Sequence, residues 1–327
     1  VYISRGGNHY LPKILSNKSY HELTTSMNKL RPTSLSGILG QTQVINALKI
    51  SIKSAKIRKD NLHHTLFYGP PGTGKTTLAN AIASEMGCQI QIANGANLRS
   101  IKNLIPYVMR IEPNSILFID EIHRMTNIVE EFLYPVMEDF KVDMSVPTKD
   151  IAGETISIDI PSFTLIGATT EFGSLSKPLI DRFSHKHTLK LYNKIELRQI
   201  VDYNSNKLNL SMSDSAADFV TTVSRGTPRI ANANLQWLRD YQVAEGHSAL
   251  SEGHVEDAMA IRGIDAEGLT DMDRVYLKTL QNRSEPIGID TLSSMTGIDK
   301  DTIESIIEPW LLQNNKIMKT SKGRVAL

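Results

Sequence analysis

From Arg31-Pro32 onward the chain alternates short apolar runs with longer amphipathic stretches; the runs are Thr65–Tyr68, Gln89–Ala93, Ser115–Ile119 and Phe163–Ala168. Runs this short, spaced by helical patterns, predict a parallel sheet with helices on both faces. Between the third and fourth runs, Val142–Val146 and Thr155–Ile160 flank the polar stretch 147–154, and apolar residues alternate through Thr155-Ile156-Ser157-Ile158-Asp159-Ile160. That alternation predicts a β-hairpin standing out from the core. After Leu191 strand-like runs stop, and apolar positions recur at helical spacing to about Ile261, as in Ile230, Ala233, Trp237 and Leu238, with the polar Asn234 in the same register. The last stretch reads as two or three helices followed by Ile317-Met318-Lys319 and Arg324-Val325-Ala326-Leu327 around Ser321-Lys322-Gly323, a helix-turn-helix closed by a hairpin wing. The expected division is a flexible extension over 1–30, a large α/β domain over 31–190, a small all-helical domain over 191–262 and a winged-helix domain over 263–327.

Composition narrows the class. A chain of 327 residues with 40% hydrophobic content is long enough for two or three packed domains. Its one cysteine, Cys88, excludes an intrachain disulfide, and no early basic stretch leads into an apolar core and cleavage site. Both features favour the reducing cytoplasm. No uncharged apolar run approaches the roughly 20 residues that a membrane helix needs. The net charge of +1 hides an asymmetry, because residues 1–65 carry ten Lys or Arg against two acids, Glu22 and Asp60. That imbalance fits a nucleic-acid-facing surface and a solvated helical face equally well.

The chemistry begins at Gly69-Pro70-Pro71-Gly72-Thr73-Gly74-Lys75-Thr76, which has the full spacing of a phosphate-binding loop and lies between an expected strand and an expected helix. The glycines allow backbone N–H groups to wrap phosphates, and the helix N-terminus adds positive potential. Lys75 is expected to reach the β- and γ-phosphates of ATP, and the Thr76 hydroxyl to ligate Mg²⁺, with Thr77 following in the same site. The run Ser115–Ile119 ends in Asp120-Glu121 at the strand edge where such sheets bind ligands. Asp120 is the candidate second Mg²⁺ residue and Glu121 the candidate base for the attacking water, although the pair could also merely cap the next helix. His123 lacks a second His, Cys or acid at ligand spacing and reads as a packing or sensing residue rather than a metal ligand.

Together these motifs resemble the AAA+ ATPases over residues 31–262, and further words narrow the resemblance to the RuvB family over about 31–327. They are Asp120-Glu121-Ile122-His123-Arg124, Leu133-Tyr134-Pro135-Val136-Met137-Glu138-Asp139-Phe140, Phe163-Thr164-Leu165-Ile166-Gly167-Ala168-Thr169-Thr170 and Arg225-Gly226-Thr227-Pro228-Arg229-Ile230-Ala231-Asn232. Gly288-Ile289-Asp290-Thr291-Leu292, Glu304, Glu308-Pro309 and Lys322-Gly323-Arg324-Val325-Ala326 continue the match. The resemblance implies an ATP-driven motor that moves the duplex arms of a Holliday junction from within a homo-hexameric ring. It makes Thr170 the polar sensor, Arg229 the lid sensor and Arg182 the finger offered to a neighbouring subunit's ATP, a charge that typically gives about 10³–10⁵ in rate. It also places Leu39, Gly40, Gln41, Tyr192 and Pro228 around the adenine, a RuvA-like partner on the hairpin 142–160, and Lys319, Lys322 and Arg324 on DNA backbone without sequence readout.

The sequence departs from the family as a divergent member would. Glu171 and Ile180 stand where the family usually has Arg, Thr73 where it commonly has Leu, and Pro147-Thr148-Lys149-Asp150 where the hairpin tip is usually Gly-rich. Three other readings stay open: a clamp-loader-like or recombination-accessory switch, a protein-remodelling ring, and a scaffold that no longer hydrolyses ATP. The second lacks a clear aromatic-hydrophobic loop pair, and the third is opposed by the intact Lys75, Asp120, Glu121, Thr170, Arg182 and Arg229.

Overall fold

The computed structural model describes residues 30–146, 154–283 and 285–327, so the expected extension over 1–30 lies almost wholly outside the described residues. Helix α1 (Thr42–Arg58) precedes β1 (Thr65–Tyr68), α2 (Lys75–Met86), β2 (Ile90–Asn94), α3 (Ile101–Val108), β3 (Ile116–Asp120) and α4 (Asn127–Glu138). The hairpin β4 (Lys141–Val146) and β5 (Glu154–Asp159) follows, then β6 (Thr164–Thr169), α5 (Lys177–Arg182) and β7 (His185–Thr188). The sheet order is β2-β3-β6-β1-β7, with every pair parallel. Alternation along the strands builds a core on each face: Leu117 and Ile119 pack with Leu133 and Val136 on one side, Ile116 and Phe118 with Leu78 and Ile82 on the other.

The α/β expectation therefore holds, with one strand added. Strand β7 reads His-Lys-His-Thr, half-exposed residues that carry no apolar signal, and it forms only because β1 offers a free parallel edge. The hairpin pairs from Lys141↔Asp159 to Val146↔Glu154. Val142 is buried at its base while Ile156 is 46% exposed farther out. The altered tip, Pro147-Thr148-Lys149-Asp150, lies outside the described residues.

Four helices form the next layer: α6 (Lys194–Lys207), α7 (Asp214–Val223), α8 (Pro228–Ala244) and α9 (Glu252–Ile261), packed on Leu197, Val201, Val220, Leu235 and Leu238. The start of α6 is fixed by a capping box between Asn193 and Glu196. The last unit comprises α10 (Asp271–Gln281), α11 (Ile289–Thr296), a helix running through Lys300–Thr302, Ile303–Ile307 and Glu308–Gln313 (together α12), and the antiparallel wing β8 (Ile317–Thr320) and β9 (Gly323–Ala326). The middle turn of α12 is π-helical. Pro309 just beyond it has no N–H for the carbonyl four residues back, which favours local widening. Among the described residues no helix is long and apolar enough to cross a membrane.

Candidate functional site: a cleft between the phosphate loop and the helical lid

The loop after β1 turns on three glycines with positive φ, of which Gly69 and Gly72 are the most constrained. A Cβ on Gly69 would lie 2.1 Å from the Leu189 carbonyl oxygen, and one on Gly72 would lie 2.6 Å from Thr227 Cγ2 and 3.1 Å from Arg229 Cβ. The loop is thus pressed between the end of β7 and the N-terminus of α8, and only glycine fits that approach. Lys75, 6% exposed at the start of α2, donates from Nζ to the carbonyls of Gly69 (2.7 Å) and Pro70 (3.0 Å). Burial lowers its pKa; Glu121 and Asp120 oppose that shift and Arg229 adds to it.

Strand β3 delivers the acids to the same end of the sheet. Thr76 Oγ1 donates to Asp120 Oδ2 (3.1 Å), which joins the two candidate Mg²⁺ residues across 44 positions of sequence. Glu121 has a left-handed backbone (φ 47°), uncommon for a non-glycine residue and concentrated at functional sites. Thr170 Oγ1 donates to Glu121 Oε2 (3.1 Å), so the candidate sensor holds the candidate base directly. His123 lies beside them, 9% exposed, with Nδ1 2.9 Å from Thr169 Oγ1 and 3.4 Å from Glu121 Oε2, and Nε2 3.4 Å from Glu171 Oε1. Among the described residues no group of three or more His, Cys, Asp or Glu side chains is arranged to hold a metal.

Leu39, Pro71, Gly72, Thr73, Gly74, Lys75, Thr76, Thr77, Asp120, Glu121, Tyr192, Pro228 and Arg229 border one cleft. Gly40 stands behind the Tyr192 ring, whose Cε1 would be 2.6 Å from an added Cβ. Tyr192 hydroxyl donates to Thr73 O (3.4 Å), and burial pushes its phenol pKa up to about 12, so it stays a neutral donor. Gln41 does not face the cleft freely: its amide donates to Lys190 O (2.6 Å) and accepts from Lys190 N (3.3 Å). Sequence reading missed Arg31, Pro32, Asn204, Asn232 and Gln236 on the rim. Asn204 donates to Asn232 (2.7 Å), while its own Oδ1 is buried without a partner. Buried amides on a lid helix were the available signal, but burial is not written in a helical repeat.

The remaining expected residues lie elsewhere. Arg182, at the end of α5, donates to Glu138 Oε2 (3.0 Å) and Pro178 O (2.9 Å) and stacks over Tyr134, 4.1 Å from the ring centroid. The wing cations separate into two kinds. Arg324, expected on DNA, is 12% exposed and bound to Glu308 (2.8 Å) and Glu304 (2.8 Å). Lys319 contacts the same buried Glu308 (2.6 Å), which also accepts from Tyr276 (2.9 Å). Arg324 therefore holds the wing onto α12, a role that a cationic wing motif does not announce. Lys322, at the turn, is exposed and makes no ion pair among the described residues.

Three family models match in succession: the Holliday junction DNA helicase RuvB P-loop domain over residues 30–189, the RuvB AAA lid domain over 192–265 and the RuvB C-terminal winged helix domain over 266–326. The Holliday junction branch migration complex subunit RuvB of Kosmotoga olearia is 44% identical over 299 residues, which is 91% of this chain and 87% of the relative. The protein of the same description from Rhodopirellula baltica is 42% identical over 91% of this chain and 81% of its own length. The solved Thermotoga maritima RuvB Holliday junction branch migration motor superposes with a TM-score of 0.83 at 37% identity, covering 91% of this chain and 96% of that one.

Proposed function

The chain belongs to the RuvB family, and on that premise we propose that it hydrolyses ATP in a homo-hexameric ring to drive duplex DNA through a Holliday junction. The observation that carries the ATPase part is the junction of loop and strand at Thr76, Asp120, Glu121 and Thr170 within hydrogen-bond reach. Lys75 exchanges its loop carbonyls for the β- and γ-phosphates, since an ammonium already stripped of most water gains more from an anion than from neutral oxygens. The Thr76 hydroxyl and Asp120 carboxylate are hard oxygen donors on adjacent elements and fit Mg²⁺, which when bound offsets phosphate charge. Glu121, oriented by Thr170, accepts a proton from the attacking water. Arg229 sets the lid against the phosphates through its contact with Gly72. Arg182, presented on the α5 terminus by Glu138 and Tyr134, completes a neighbour's site, so hydrolysis requires the ring.

The exposed part of the β4–β5 hairpin is the surface for a RuvA-like junction-binding partner, and exposed Lys322 meets DNA backbone, a contact without sequence preference. A cytoplasmic location follows from the same reading. The test incubates the protein, ATP and Mg²⁺ with a labelled four-way junction and with linear duplex, with and without RuvA-type partners. ATP-dependent strand products from the junction support the motor. Hydrolysis stimulated by DNA with no strand products under any partner condition replaces it with a DNA-dependent switch.

A further inference from the structure

Residue 225 turns the chain from α7 into α8 with a positive φ of 54°, immediately before the segment that meets the phosphate loop. Its arginine side chain does not stay with the lid. Nε donates to Gly268 O (2.6 Å), Nη2 donates to the same carbonyl and to the Asp273 carboxylate, and the guanidinium lies 4.8 Å from the Trp310 ring centroid. Gly268 lies between the lid and the winged helix, Asp273 is on α10 and Trp310 on α12. Asp273 is 1% exposed and also accepts from the Thr270 backbone and hydroxyl at the start of α10. Gly268 is fixed too, since a Cβ there would fall 2.9 Å from Val223 Cα.

The other end of the same short segment belongs to the ATP cleft. Gly226 O accepts from Tyr192 N (2.8 Å), Tyr192 reaches Thr73, and Thr227 and Arg229 abut Gly72. Five consecutive residues therefore touch the phosphate loop at one end and the winged-helix domain at the other. We propose that Arg225 is the coupling residue that locks the winged helix to the nucleotide-facing edge of the lid, so that lid displacement moves the DNA-binding domain with it. The inference rests on the DNA-motor reading above. A planar guanidinium sharing a carbonyl and a buried carboxylate while stacked on an indole has one favoured geometry, which transmits rotation. A lysine retains the charge but neither the fork nor the plane.

The experiment uses the full chain with Arg225→Lys, Asp273→Asn and the double variant. It reads ATP hydrolysis without DNA, duplex Kd in a non-hydrolysable ATP analogue and in ADP, and strand product per ATP consumed. We expect basal hydrolysis within about twofold of the parent, while the Kd ratio between the two nucleotides, typically about 5–150-fold in coupled systems, collapses toward one and strand product per ATP falls. A purely stabilising arginine would leave that ratio intact, and an unchanged ratio in folded variants overturns the proposal. Hydrogen exchange in the unaltered protein supplies a second measurement that survives misfolded variants: analogue binding must change protection over residues 268–276, and no change there overturns it. A parent protein that shows the nucleotide-dependent Kd ratio but never yields strand product would fail the motor reading and leave the coupling standing.

Discussion

Replacing Gly72 by alanine puts a wedge between the phosphate loop and the lid. The added Cβ lies 2.6 Å from Thr227 Cγ2, whereas carbon atoms rest about 3.5–4.0 Å apart, so the lid edge must retreat by about 1 Å. The backbone adds its own cost, because φ is +76° and a left-handed conformation disfavours an L residue by roughly 1–2 kcal/mol. Retreat carries Arg229 with it, since its Cβ lies 3.1 Å from the same point. Together these effects should weaken ATP affinity by about 10- to 30-fold, each factor of ten being about 1.4 kcal/mol. The assay is equilibrium titration of a fluorescent ATP analogue, with circular dichroism to verify the fold. Thr227→Ser removes Cγ2 but keeps the hydroxyl that donates to Arg225 O, so Gly72→Ala with Thr227→Ser should recover roughly half of the lost binding free energy. Parental affinity in the single variant, or no recovery in the double, would refute the idea that loop and lid are in hard contact here.

Glu121→Gln should keep nucleotide affinity and lower turnover by about 10²–10⁴, measured by phosphate release; normal turnover would remove Glu121 from the role of base. Mixing Arg182→Ala with Glu121→Gln subunits should restore part of the activity that each lacks alone, and none in rings shown to be mixed would count against a shared site. Glu308→Ala leaves Arg324 and Tyr276 without their buried acceptor and should cost the winged helix about 3–5 kcal/mol, read as faster hydrogen exchange over 266–326 with the phosphate-loop domain unaffected. Burial raises the Glu308 pKa, but hydrogen bonds from Arg324, Lys319 and Tyr276 outweigh it and hold the carboxyl below its usual 4.5. Its stabilising contribution is therefore complete above about that pH and lost as pH falls through the lower folded value, so acid should loosen the parent wing and leave Glu308→Ala comparatively indifferent. Lys322→Ala should weaken duplex binding at every sequence and reduce the salt slope by about one, whereas Arg324→Ala should chiefly destabilise the wing; an identical salt slope for Lys322→Ala would take that residue off the DNA.

Much of the fold was legible because its signals are local. Apolar runs of four to six residues mark β1, β3 and β6, and their burial on both faces is what makes them continuous rather than alternating, whereas edge strand β2 mixes Gln91 with Ile90 and Ile92 and buries only Ala93. The phosphate loop and the Asp120-Glu121 pair were legible for a similar reason, since a turn that wraps anions and a strand that ends in acids need their residues in fixed order. Strand β7 was not, because His185-Lys186-His187-Thr188 becomes a strand by pairing with β1 and not through a propensity of its own.

The sequence alone thus determined which side chains carry charge, where the glycines must be, and the succession of sheet, helical lid and winged helix. Tertiary structure alone decided whom the charges meet: Arg324 turns to Glu308 across 16 positions, Arg182 to Glu138 across 44, and Arg225 to Asp273 across 48. An arginine in the chain states a charge and a reach. Whether that charge stays free for a phosphate or is spent inside the protein depends on the nearest carboxylate in space, and that distance exists only after the chain has folded.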